Sequence, residues 1–379
     1  MDVAVAGVGI AGAFALRRLK KSLNVVGIDK RKKLGYPVEC GEIIPTKKEM
    51  KILLPDLDDY SLFDLPRHYE SNRTKEVHFI LPNGKTFEID FEFHVVNRDE
   101  MIRSIAESSG HELMLETRVE GLKDGKLITS RGEIDAKVIV ASDGPNSKMA
   151  RSLNLPKHEF SPAKQYVMDG IECDDDVVYM YIGRKISPGA YGWIIPKGNG
   201  IGNVGIGFRP EYADKGDTIV RALDRFVREY PYSSQFLKKA KVISSIGAVV
   251  PVDLPYETAV YSNILFAGDS ASMIISHVGG GIPTSMVAGD AAAKVINDYF
   301  DGGIDLREYD KLWKKYLYGP LVNAYHLKRM WDRFSDDDDR MSKILSLASN
   351  SDMGKILRCR IPWKIKALSV FLPIVERIL

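Results

Sequence analysis

Short, wholly apolar runs followed at once by glycine set the pattern of this chain. Residues 3–6 (VAVA) are too short for a helix and read as a buried strand. Glycines follow at 7, 9 and 12, a helical pattern covers 11–19, and a second strand at 24–28 ends in Asp29. That order predicts a parallel strand–helix–strand opening. Two more buried strands are expected at 138–141 and 263–267. A helix is expected from Lys47, and a hairpin over 77–91 turning at Pro82-Asn83-Gly84. Residues 97–109 form an amphipathic helix with Met101, Ile102, Ile105 and Ala106 on one face. A strand is predicted at 111–119, then short strands to 139 with turns at Asp124-Gly125 and Arg131-Gly132. Strand-like alternation dominates 161–251, broken by a polar helix at 218–229. A helix follows at 283–300, and the pattern stays helical beyond Leu306, with Trp313, Tyr316, Leu317 and Leu321 sharing a face.

These elements predict an α/β fold, α+β overall. A Rossmann-like domain is built from 1–62, 92–160 and 251–300. An antiparallel-sheet substrate domain from 63–91 and 161–250 is inserted in it, and 301–379 form a C-terminal helical region. With 379 residues the chain has room for a large core. The net charge of +2 gives no global field to attract nucleic acid. Three unpaired cysteines, Cys40, Cys173 and Cys359, argue for a reducing, cytoplasmic setting and against a disulfide frame or a bound metal such as zinc. Four acids at 336–339 lack the spaced oxygen ligands of a calcium loop and read as a solvated helix boundary. The first strand starts too early to leave room for a signal peptide, and no apolar run approaches the ~20 residues of a membrane span.

The chemistry sits in the glycine-rich turns. Gly7 makes the tight turn, Gly9 lets backbone approach a pyrophosphate, and Gly12 allows helix to pack on strand. Asp29 stands where a carboxylate accepts hydrogen bonds from ribose hydroxyls. Two later strands also end in small residues and acid: one at Ser142-Asp143-Gly144, the other at Ala267-Gly268-Asp269-Ser270, followed by Gly279-Gly280-Gly281-Ile282-Pro283. Bare N–H groups at a helix start suit ring carbonyls. Cys40, in a Gly/Pro loop, has three readings: proton supply, steering of a ring, or simple packing. Tyr191 and Trp193 alternate with Gly192 and share a face, either as core or as an aromatic wall. His277 is read as a surface or capping residue rather than an acid.

The order of these three motifs resembles the FAD-binding domain of the p-hydroxybenzoate hydroxylase-like flavoprotein superfamily. A narrower resemblance is to the geranylgeranyl reductase family. Pro37-Val38-Glu39-Cys40-Gly41-Glu42 is similar to its P-x-x-C-G-E segment, and Tyr191-Gly192-Trp193-Ile194-Ile195-Pro196 to its Y-x-W-x-x-P segment. The resemblance implies that Gly7, Gly9, Ala11 and Gly12 sit at the FAD pyrophosphate and Asp29 at the adenosine ribose. It implies Cys40 and Gly41 near the isoalloxazine, Arg98 binding FAD, Val119 on the adenine side, Asp269 at the ribityl–pyrophosphate region, and Gly281 and Ile282 facing the ring. Cys40 would be catalytic, and Tyr191 and Trp193 would line the substrate cavity. The implied activity is saturation of carbon–carbon double bonds in geranylgeranyl chains, as in membrane-lipid biosynthesis. With no second G-x-G-x-x-G domain for NAD(P)H, electrons would come from ferredoxin or a transiently bound nicotinamide, NAD(P)H.

Two other readings stay open. One is an FAD monooxygenase or halogenase, although Ala190 and Tyr191 depart from the halogenase G-W-x-W-x-I-P motif. The other is a flavin electron-transfer protein without its own small-molecule substrate. The apolar stretch at 363–379 with scattered cations suits either a membrane surface, peripheral on the inner face, or the protein's own core.

Overall fold

The computed structural model describes residues 1–363. The chain begins β1 (Val3–Ala6), α1 (Ile10–Arg18), β2 (Val25–Ile28), β3 (Ile43–Pro45) and α2 (Lys47–Leu53). A long hairpin, β4 (Glu70–Ile80) and β5 (Thr86–Val96), leads to α3 (Arg98–Ser108) and β6 (Glu112–Met114). Three short strands, β7 (Val119–Lys123), β8 (Lys126–Thr129) and β9 (Gly132–Ile134), form a small sheet before β10 (Val138–Ala141) and α4 (Lys148–Ser152). Then come β11 (Phe160–Asp169), β12 (Val177–Ile182), β13 (Tyr191–Gly198), β14 (Ile201–Gly207), α5 (Ile219–Arg228), α6 (Pro231–Leu237) and β15 (Lys241–Pro251). The last strands are β16 (Val260–Tyr261) and β17 (Ile264–Phe266), followed by α7 (Ile282–Phe300), α8 (Glu308–Trp313), α9 (Gly319–Asp332), α10 (Asp338–Leu345) and α11 (Asn350–Leu357).

The first sheet runs β16-β17-β10-β1-β2-β6, parallel except at the β16 edge. Its central strands are buried on both faces, which is why they read as unbroken apolar runs. Helix α1 packs so closely on α7 that a Cβ added at Gly289 would stand 2.0 Å from the Ala11 carbonyl oxygen.

The second sheet runs β15-β11-β14-β13-β12-β4-β5-β3. It is not wholly antiparallel: β12 pairs parallel with β4, joining the hairpin to the later strands. Strand β3 joins β5 at the far edge, Ile43 opposite Val95, so two segments assigned above to the Rossmann-like domain belong to this sheet. Strand β5 runs to Val96, past residue 92, paired there with β4 and over Phe93–Val95 with β3, and Ile44 and Val95 are completely buried. One face of the sheet packs on α5 and α6, through Ile194, Val204, Ile206 and Phe226. The opposite face meets the C-terminal helices, where Phe79, Phe91, Phe334, Met353 and Leu357 form one cluster.

The strand expected at 111–119 is broken. Glu116 adopts φ +52°, and the Thr117 N–H turns back to the Asp29 carbonyl at 2.9 Å, so β6 ends early. The run of acids is a helix boundary: Asp337 caps α10 by accepting from the N–H groups of Asp339 and Arg340. Trp313, Tyr316, Leu317 and Leu321 are all buried, as their spacing requires. The apolar tail, apart from Trp363, lies outside the described residues. Among the described residues no helix is long and apolar enough to cross a membrane.

Candidate functional site: one cavity from the glycine turns to an apolar chamber

The carboxyl ends of β1, β2, β10 and β17 open into a cavity of about 1460 Å³. It continues beneath the second sheet to the C-terminal helices. At the first end stand Gly7, Gly9, Ala11, Asp29, Val119 and Asp143. Gly7 has φ +94°, and a Cβ there would meet the Ser142 carbonyl at 2.4 Å, so the turn requires glycine. A Cβ at Gly9 would meet nothing within 4 Å; it would project into open space, where backbone alone can approach a ligand. Gly12 does not reach the cavity wall. A Cβ there would stand 2.0 Å from the Gly7 carbonyl, so its work is helix–turn packing. Asp29 is buried; its Oδ2 accepts from Val8 N at 3.0 Å and its Oδ1 from Arg31 N at 2.8 Å. These bonds fix the turn while the side chain still faces the cavity.

Midway along, Cys40, Gly41, Arg98, Asp269, Gly281 and Ile282 converge from four separate stretches of sequence. Burial raises the Cys40 thiol above its ordinary value, against the nearby Arg98 guanidinium, so the group is a protonated thiol at neutral pH. Burial likewise raises Asp269, again opposed by Arg98. Arg98 lines the cavity, and its Nε is buried without a protein partner.

The wall facing these loops is β13. Alternate residues of the strand point the same way, and each touches the loops or the cavity. The Tyr191 hydroxyl donates to the Val278 carbonyl at 2.6 Å. Trp193 Nε1 donates to Gln165 Oε1 at 2.9 Å, and Gln165 Nε2 donates to the Cys40 carbonyl at 3.0 Å. Ile195 Cδ1 lies 3.0 Å from where a Gly41 Cβ would be. The Lys197 ammonium pairs with Glu42. Tyr191 and Trp193 therefore both wall the cavity and brace the loops.

Four residues given no role by the sequence matter here, Glu42 of the P-x-x-C-G-E segment among them. Glu42 has φ +65° and accepts from Arg98 N at 3.0 Å, Asn203 Nδ2 at 3.0 Å and Lys197 Nζ. Gln165, Lys197 and Asn203 sit in strands where a lone polar residue looks incidental; the sequence hint was that they point to an inward face. The far chamber is also lined by Trp331, Phe334, Ile344, Met353 and Leu357, from the C-terminal helices and the turn after α9, which the sequence analysis gave no role in the site.

His277 departs from expectation. It is in the cavity wall, with one ring nitrogen 3.0 Å from the Ile356 carbonyl. Burial pushes its pKa down to about 4, so it is neutral and ties the glycine-rich loop to α11.

Residues 159–250 match the model of the geranylgeranyl reductase catalytic domain. A digeranylgeranylglycerophospholipid reductase of Methanospirillum hungatei is 30% identical over 366 residues, covering 89% of this chain and 87% of that one. The chain belongs to the geranylgeranyl reductase family. The digeranylgeranylglycerophospholipid reductase of Methanocaldococcus jannaschii is 29% identical over 398 residues, covering 98% of this chain and 97% of that one. The structure of a geranylgeranyl bacteriochlorophyll reductase-like protein from Thermoplasma acidophilum aligns with a TM-score of 0.78 at 26% identity, covering 92% of each chain. A flavin-dependent brominase aligns with a TM-score of 0.71 at 19% identity, covering 99% of this chain and 98% of that one, a likeness of fold alone. The family match spans β11 to β15, the strands that roof the cavity.

Proposed function

We propose that this geranylgeranyl reductase family member binds FAD along the nucleotide edge of the cavity and saturates carbon–carbon double bonds of geranylgeranyl chains during membrane-lipid synthesis. The observation that carries the reading is continuity: one cavity joins a nucleotide-type turn to an apolar chamber walled by aromatic and aliphatic side chains. The residues fit the flavin. Gly9 leaves room for a pyrophosphate, Asp29 faces a ribose, Val119 lies on the adenine side, and Arg98 offers an unpaired donor. Gly281 and Ile282 begin α7 against the ring position, with Asp269 beside them.

Reduced FAD supplies a hydride equivalent when bound. The chain's part is to bind, orient and exclude water. Tyr191 and Trp193 hold the alkene against the ring position, and the aliphatic chamber seats the remaining isoprenoid units. The Cys40 Sγ, held 3.2 Å from Glu42 N, keeps a proton at the cavity wall. The deep apolar chamber weighs against an electron carrier without substrate. Electrons arrive from outside, from ferredoxin or transiently bound NAD(P)H, since the other G-x-G-x-x-G, Gly200–Gly205, runs into strand β14 rather than forming a second strand–turn–helix domain for a nicotinamide.

The test is purification, absorbance and product mass. The protein should be yellow; reduced with dithionite and given a geranylgeranyl lipid, it should add hydrogens in pairs. Colourless protein that takes up no FAD, or unchanged lipid mass, refutes the reading.

The lipid also suggests where the chain works. Leu347 and Trp363 line the cavity and are 65% and 71% exposed, an apolar rim suited to a bilayer surface. Exchanging both for Asp should slow reduction of lipid in vesicles several-fold while leaving detergent-dispersed lipid unaffected; equal slowing in both refutes the membrane contact.

A further inference from the structure

Gln165 lies at the centre of β11 and is 3% exposed. It is opposite Gly205 of β14, and Gly205 is opposite Trp193 of β13. The three form one row across the sheet. A Cβ at Gly205 would come within 2.4 Å of the Trp193 ring, so the indole occupies the space over the bare glycine. Only that missing side chain lets Trp193 Nε1 cross the intervening strand to Gln165 Oε1, at 2.9 Å. The same amide donates from Nε2 to the Cys40 carbonyl at 3.0 Å. One side chain thus uses an acceptor toward the substrate wall and a donor toward the Cys40 loop. An amide can do both at once, while a hydrocarbon can do neither and a carboxylate only the first.

We propose that Gln165 is a positioning residue that fixes the Cys40 loop to the substrate wall, so that Trp193 and Cys40 keep one geometry across the cavity. Nothing else in the second sheet reaches the Cys40 backbone by a hydrogen bond among the described residues; Asn203 takes the neighbouring Gly41 carbonyl at 3.1 Å. For its effect on turnover the inference rests on the reductase reading above, so its first readout is independent of turnover.

That readout is the iodoacetamide alkylation rate of Cys40 in the flavin-loaded protein, resolved by peptide mass, with Cys173 as the internal reference. Gln165→Leu should raise the Cys40 rate several-fold and leave Cys173 unchanged. Turnover should fall about tenfold, in line with two hydrogen bonds lost, mainly in kcat. Gln165→Glu supplies the test that a merely structural role would not pass. Protonated, its carboxyl donates and accepts like the amide; ionised, it faces the Cys40 carbonyl with a negative oxygen. Relative to the parent at each pH, Gln165→Glu should therefore match in acid and resemble Gln165→Leu at high pH. If Gln165→Leu does not fold, the pH series of Gln165→Glu decides alone. A Cys40 rate equal to the parent in Gln165→Leu, or a Gln165→Glu to parent ratio that does not change with pH, overturns the proposal. Should the parent itself reduce no lipid, the function falls, and the alkylation ratios still decide the role of Gln165.

Discussion

Replacing Glu42 with Gln isolates the charge at the junction between the two sheets. The carboxylate is 4% exposed and accepts three bonds, from Arg98 N, Asn203 Nδ2 and the Lys197 ammonium. The Lys197 side chain is only 15% exposed, so water replaces its partner poorly. An amide keeps one acceptor for Arg98 N and turns its own donors toward Lys197. The loss combines a charge-assisted hydrogen bond, about 1.5–3 kcal/mol, with an orphaned, largely buried cation. Together these should cost about 3 kcal/mol of stability. Urea unfolding at a fixed FAD concentration, followed by tryptophan fluorescence, measures it. Because the penalty is a stranded charge, Glu42→Gln/Lys197→Met should recover about half of it. A single variant within about 0.5 kcal/mol of the parent, or a double variant no more stable than the single one, refutes the reasoning.

Three further outcomes follow from the same geometry. Gly12→Ala should strip flavin and destabilise by about 3 kcal/mol, because its Cβ would lie 2.0 Å from the Gly7 carbonyl; flavin absorbance after desalting reads the first effect. His277 is held neutral by burial with a pKa of about 4, below the unfolded value of 6.5, so the unfolded chain binds its proton first as pH falls. Stability should therefore drop by about 3 kcal/mol between roughly pH 6.5 and 4, and His277→Gln should remove that part of the slope in unfolding curves taken across the range. Arg358 bonds Glu49, fully buried, at 2.7 Å and lies 4.8 Å over the Phe91 ring; Arg358→Ala should cost about 3 kcal/mol and speed proteolysis of α11 in limited trypsin digests.

The glycine-turn half of the cavity was legible because its signals are local. A four-residue apolar strand, glycines at fixed spacing and an acid after the next strand each declare themselves within one short window. Tyr191 and Trp193 were legible for a similar reason, since alternation fixes a shared face. Gln165, Lys197 and Asn203 were not: their meaning comes from partners more than a hundred residues away in the loop of Cys40 and Glu42. The parallel junction of β4 and β12 is equally invisible, because nothing in either strand encodes a partner so distant. Helices were expected beyond Leu306, but the part α10 and α11 play in lining the chamber was not legible, because each puts only a few apolar positions inward, and Ile344, Met353 and Leu357 look ordinary one at a time. His277 misled because a lone histidine beside glycines resembles an exposed turn, whereas α11 folds over it.

The strand order of the first sheet sets a timetable for biosynthesis. β1 leaves the ribosome well before its partners: its neighbour β10 arrives about 135 residues later and β17 about 260 residues later. At a translation speed of ~5–20 residues per second, β1 waits roughly 7–25 s for β10 and β17 follows only after about 13–50 s. During that interval a valine-rich strand and its glycine turn have no finished sheet to join. Cells making this polypeptide therefore gain from chaperones that shelter the nascent amino-terminal segment, and slowing elongation before residue 264 should raise aggregation far more than slowing it afterwards.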